Sequence, residues 1–317
     1  MNCSVVNRNV IEGLLLGAAP ERKSDVHALW ANYDPMFWVC DDASGILFQA
    51  RWDRQSGEQR IEFTERGNSL LWLIGFTAWK VFQCYSPFAF LGSIMGIKIN
   101  DSFIAQDCGF ADAEAAFEQH LYAVKCLQAA RSVTDIDWPS DIPKPQACAP
   151  ADPQDHATFD LTCIATAYVY LHEVRHVKFS KDGQRPTLLN EEELACDVFA
   201  REFLLAKTGT YCEASREPFQ RVMTKRAMGV ALGAFAVYLL TPRDGHGGTD
   251  EYPPIGVRLQ ALIGEVNLPP DNDFWIFTGA LLICLLRLRD RTVNVNFSNA
   301  KDLVDVLMKE LDVQHGE

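Results

Sequence analysis

His172-Glu173-Val174-Arg175-His176 closes an uncharged run, Leu161 to Leu171, that is rich in alanine, tyrosine and β-branched residues. The run predicts a core helix that carries its polar end into an interior site. At 3.6 residues per turn the histidines at i and i+4 stack on one face, at a separation one metal ion can bridge. Glu173 lies one residue round, within reach of water at that ion. His27, His120, His156, His246 and His315 show no comparable spacing. The competing reading is a buried helix whose last turn merely becomes polar.

Metal sites that do hydrolytic chemistry usually take three protein ligands and leave one position to water, so a third ligand must come from elsewhere. Asn190-Glu191-Glu192-Glu193-Leu194-Ala195-Cys196-Asp197 supplies a candidate. Asn190 is placed to cap a helix that runs on through Leu205 and ends near Gly209. On it Glu193 and Asp197 are i and i+4 and face the same way. Glu193 is the expected third ligand, and Asp197 the acceptor that fixes the tautomer of a ligand histidine. The alternative is a capping box closed by Glu193 at N3, in a helix start that is acidic because the dipole favours it. Glu191 and Glu192 are expected to remain solvated, and Cys196 to be a buried structural thiol.

These motifs resemble those of a known group. An H-E-x-x-H helix followed by E-x-x-x-D on a second helix is the gluzincin pattern. With the flanking Trp138-Pro139-Ser140-Asp141-Ile142-Pro143-Lys144-Pro145, the text is similar to the Lit-type phage-exclusion peptidases of bacteria. Tyr252-Pro253-Pro254 with Arg258 resembles the His-Pro…Arg element of related gluzincins, with tyrosine in place of histidine. The resemblance implies a zincin-like peptidase core and a cytoplasmic zinc protease. It further implies dormancy until phage infection, a phage-derived activator peptide, and elongation factor Tu as the protein substrate.

Composition bounds the rest. With 317 residues, 48% hydrophobic and 22% charged, the chain can bury a large core. A net charge of -13 argues against nucleic acid as the main partner, since phosphate contacts need a basic surface. Ten cysteines without a C-x-x-C pair suit free thiols in a reducing compartment. No signal peptide opens the chain, which also reads as cytosolic. The uncharged runs Val81 to Ile97, Ala227 to Pro242 and Phe274 to Leu286 fall short of a membrane span and predict buried helices, with Gly229 and Gly233 marking a close packing.

The expected class is α+β: a small antiparallel sheet in the N-terminal third, then a mainly helical peptidase region. Residues 1–134 are expected to form the sheet-and-helix part, 135–155 a proline-rich strap and 156–317 the helical part, together in one compact unit. Strands are predicted at Met36 to Cys40, Gly45 to Asp53 and Gln59 to Thr64, with turns at Asp41-Asp42-Ala43-Ser44 and Gln55-Ser56-Gly57. An exposed edge of that sheet is a place to lay an extended substrate. Helices are predicted over Ser69 to Gln83, Ala111 to Ala130, Pro218 to Leu240, Pro254 to Gly264, Asp273 to Arg289 and Lys301 to Leu311.

A mechanism follows for one Zn²⁺ held by His172, His176 and Glu193. Glu173 acts as general base, and His246 or Tyr252 is the available oxyanion donor. Arg258 is expected to make a structural ion pair. Two other readings stay open: a zinc-stabilised sensor or binding protein that does not cut, and an ImmA/IrrE-type regulator-cleaving peptidase.

Overall fold

The computed structural model describes residues 3–41, 47–52, 57–96, 98–106, 109–145, 148–289 and 292–312. Strand β1 (Cys3–Val5) is followed by helices α1 (Arg8–Ala18) and α2 (Lys23–Tyr33), which the sequence reading did not anticipate. Each has only 11 residues, too short for a strong periodic signal. Asn7 caps α1 by accepting from Asn9 N–H, and Ile11, Leu15 and Ala18 form its buried stripe. Val26, Leu29 and Trp30 do the same for α2.

Strands β2 (Met36–Cys40), β3 (Phe48–Trp52) and β4 (Gln59–Thr64) stand where expected, but the sheet is mixed rather than antiparallel. Its order is β1-β2-β4-β3, with β2 and β4 parallel from Met36↔Arg60 to Cys40↔Thr64. Burial explains the arrangement. β4 buries Ile61 and Phe63 and nearly everything else, so it takes a central place, whereas half-exposed β3 lies antiparallel on its outer side as the edge. Most of the two expected turns, 42–44 and 55–56, lies outside the described residues. Cys3 and Cys40 face each other across β1 and β2 and form a disulfide, which corrects the expectation of free thiols throughout. Among the described residues, Cys84, Cys126, Cys148, Cys163, Cys196, Cys212 and Cys284 form no disulfide.

Thr64 caps α3 (Glu65–Met95), a single helix of 31 residues that joins two segments expected separately. After β5 (Ile99–Asn100) and α4 (Asp101–Ile104) comes α5 (Phe110–Ala129). The strap is pinned along its length: Trp72 donates to Pro143 O, Trp138 to Ile142 O, and His120 pairs with Asp141.

Helix α6 (Pro153–Asp182) starts at an Asp152 cap with Pro153 in the first turn and stops at Gly183, whose φ of 64° suits a residue without Cβ. α7 (Leu189–Leu205) starts from Leu188 without a side-chain cap. Asn190 therefore lies inside its first turn, and the capping box that competed for Glu193 does not form. α8 (Thr208–Ser215) takes up Gly209, so α7 ends earlier than expected.

α9 (Phe219–Leu240), α10 (Ile255–Leu259) with a π-type turn at Gln260–Gly264, α11 (Asp273–Arg287), β6 (Asn294–Val295) and α12 (Ala300–Asp312) complete the chain. One buried cluster runs from Ile11 to Leu311. α9 is long and apolar enough to cross a membrane, yet most of it is buried in the fold. It presses on α6 through Gly229 and Gly233, where an added Cβ would stand 2.4 Å from Ile164 and 2.7 Å from Tyr168. That contact fixes the back of the helix bearing the histidines.

Candidate active site

α6 and α7 pack together so that His172 and His176 meet Glu193. His172 Nε2 lies 3.2 Å from Glu193 Oε2, and His176 Nε2 lies 3.2 Å from Glu193 Oε1. The two Nε2 atoms are themselves 3.2 Å apart. Ligand atoms around a tetrahedral ion with bonds of ~2.0–2.1 Å stand about 3.3 Å from one another. The three side chains therefore fit such an ion.

The other ring nitrogens are spoken for. His172 Nδ1 is 2.9 Å from Asp197 Oδ1 and His176 Nδ1 is 2.8 Å from Glu192 Oε1. A carboxylate only accepts, so each Nδ1 carries a hydrogen, and once Nε2 gives up its proton its lone pair faces the shared point. Burial alone would lower the pKa of His172. Hydrogen bonds to Asp197 and Glu193, with the charges of Asp197 and Glu173, instead lift it to about 10 when protons are the only cations present. His176 is raised in the same way, burial opposing and Glu193 lifting.

Cys196 also stands beside the imidazoles, its sulfur and their nitrogens within 4.8 Å of one another, and this His172, His176, Cys196 cluster could itself hold a metal ion. The chemistry of the two candidate partners differs. Burial pushes the Cys196 thiol far up, and Glu193, Glu173, Glu192 and Asp197 push it further. Burial also opposes ionisation of Glu193, but the two imidazole hydrogen bonds hold its carboxyl well below the usual range. Glu193 thus offers an anion where Cys196 offers a neutral thiol.

Asp197 is wholly buried and encircled by donors. Tyr168 Oη donates to its Oδ1 at 2.5 Å, and Arg258 donates through Nε to Oδ2 at 2.7 Å and through a terminal nitrogen to Oδ1 at 2.9 Å. Arg258 makes the structural ion pair expected of it. Tyr168 was not anticipated, although it lies four residues before His172 and hence on the same face. Glu192 is also a correction: it is 2% exposed and accepts from His176, while Glu191 is solvated as expected.

Glu173 is buried, and its Oε2 accepts the Ala50 N–H of β3 at 2.6 Å. The edge strand thereby aims the carboxylate beside the histidines. A cleft of about 540 Å³ opens over this group, walled by Gln49 and Ala50 of β3 and floored by Leu71, Val169, Val237 and Leu240. Arg185, Leu189 and Tyr252 stand along it. Tyr252 is 49% exposed, and its hydroxyl is pushed up by burial and by the nearby carboxylates of Glu193, Glu251 and Glu173, so it stays a donor.

His246 does not join them. Its Nε2 lies 3.0 Å from Thr241 O, its Nδ1 2.8 Å from Arg289, and its ring packs on Tyr238 at 4.5 Å. Buried in these contacts, it lies outside the cleft lining, which removes it as the oxyanion donor.

A family model described as Peptidase U49 matches residues 61–278, from β4 into α11, and so takes in α6, α7 and Arg258. No curated protein and no solved structure matches the chain.

Proposed function

The chain belongs to the Peptidase U49 family, the Lit-type peptidases, and from that premise we propose that it is a zinc-dependent endopeptidase centred on His172, Glu173, His176 and Glu193. The observation that carries the reading is the Glu193 carboxylate lying 3.2 Å from both Nε2 atoms. His172, His176 and Glu193 would hold one Zn²⁺, with Asp197 fixing His172. Bound there, the ion would activate water near neutral pH and polarise the scissile carbonyl. Glu173 would take the water proton and hand it to the leaving amine. The Tyr252 hydroxyl is the donor available to the developing oxyanion. An extended substrate would pair along the outer edge of β3, which borders the cleft, on either side of the Ala50 amide that Glu173 holds.

The resemblance to Lit-type peptidases supports elongation factor Tu as substrate, a phage-derived peptide as activator, a cytoplasmic setting and a role in phage exclusion. The test is to express wild-type protein and Glu173→Gln, measure bound zinc, and identify new protein N-termini in the cells. Zinc should be equal in both, with cleavage lowered ~10²–10⁴-fold in the variant. Equal cleavage by both would overturn the role given to Glu173.

The position of Cys196 favours one other reading. If its sulfur joined the three ligands, the shell would be full and the site would be structural, as in a zinc-stabilised binding protein. Cys196→Ala separates the two. The peptidase reading expects zinc and cleavage to persist, and the structural reading expects zinc to be lost.

A further inference from the structure

We propose that Glu192 is the positioning residue for His176: a second carboxylate, separate from Asp197, that sets the tautomer of the second imidazole and raises the affinity of the metal centre. The inference rests on the metal-centre reading above. Glu192 precedes Glu193 by one residue on α7, so the two carboxylates leave the helix in different directions and approach His176 from opposite sides of its ring. Oε1 of Glu192 is 2.8 Å from Nδ1, and the Glu193 carboxylate is 3.2 Å from Nε2.

Three features set this contact apart from a helix-start glutamate facing water. Glu192 is 2% exposed, against the open surface around Glu191. Its Oε2 is buried with no hydrogen-bond partner among the described residues, a cost that a purely structural residue would shed. Arg185 reaches the same Oε1 at 3.2 Å from the cleft wall. A ligand histidine loses about 10–100-fold in metal affinity when the acceptor behind it is removed.

The experiment titrates Zn²⁺ against a chromophoric chelator for wild-type, Glu191→Ala, Glu192→Ala, Glu192→Gln and His176→Ala proteins, with circular dichroism of each metal-free protein as the folding control. Glu192→Ala should bind Zn²⁺ about 10–100-fold more weakly. Glu192→Gln, whose carbonyl still accepts from Nδ1, should recover part of that loss. Glu191→Ala should match wild type. The absorption bands of bound Co²⁺ should shift in Glu192→Ala and not in Glu191→Ala. If Glu192→Ala does not fold, Glu192→Asp takes its place, with a shortened reach and a similar expected loss. Folded Glu192 variants that bind Zn²⁺ within about twofold of Glu191→Ala would overturn the assignment. Wild-type protein that binds no Zn²⁺, or a His176→Ala that binds it unchanged, would instead overturn the metal centre itself.

Discussion

His172 and His176 sit one turn apart on the same helix and face the same point, yet what stands behind them differs. Behind His172, Asp197 is enclosed by Tyr168 and Arg258, and no part of it reaches solvent. Behind His176, Glu192 has one oxygen without a partner among the described residues and shares the other with Arg185, whose side chain is 54% exposed along the cleft. The first arrangement is part of the core and holds α6, α7 and α10 in register. The second is a short-range pairing at the cleft wall.

The contrast is broken first at Asp197. Asp197→Ala strands the Arg258 charge in the interior and should cost about 3–5 kcal/mol in the denaturation of metal-free protein. An unchanged denaturation midpoint would show the enclosure to be unimportant. Tyr168→Phe removes one hydrogen bond to the same carboxylate and should cost about 1.5–3 kcal/mol by the same measurement, without abolishing zinc binding.

Acidity sharpens the contrast. In metal-free protein burial opposes protonation of His172, but the carboxylates of Asp197 and Glu193 lift its pKa from the ordinary 6.5 to about 10. The stability it contributes is complete below pH 6.5 and drains away as pH rises toward 10, at no more than ~1.4 kcal/mol per pH unit. Chelated protein should therefore melt at lower temperature at pH 7.5 than at pH 6.5, a window below the ordinary thiol range of ~8.5, and the zinc-loaded form should not share that slope. A chelated midpoint that is flat or rising across the window would contradict the imidazolium. The smallest effect belongs to Arg185→Gln, a half-exposed pairing that should leave stability within ~1 kcal/mol. A larger loss would mean that the Glu192 side is as enclosed as the other.

The helix bearing the histidines and the Glu193 helix were legible in the sequence because both are long and their polar residues sit at i and i+4. Most other helices were legible from apolar periodicity, with proline marking both ends of α9 and the start of α10. What was missed lies in relations that periodicity does not encode. The parallel pairing of β2 with β4 depends on which strand the core buries more deeply. The burial of Glu192 depends on how closely α7 packs against α6, which brings a second glutamate onto His176 and is not encoded in helical spacing. The loss of His246 to the wall behind Tyr238 follows from Arg289, far along the chain. α1 and α2 were missed because short helices carry little pattern.

The hydrogen bond from Ala50 to Glu173 has a consequence for register. Along β3 the inward groups belong to Leu47, Gln49 and Arg51, as the bond from Thr64 N–H to Leu47 O shows, so Phe48, Ala50 and Trp52 turn their amides outward. Of that outward row the middle amide is already taken by the carboxylate. A guest strand laid along this border finds its ladder interrupted at one rung, and that rung belongs to the proton acceptor. Alignment of the guest and aim of the base are thus settled by the same amide, and a shift of the strand by one residue would disturb both together.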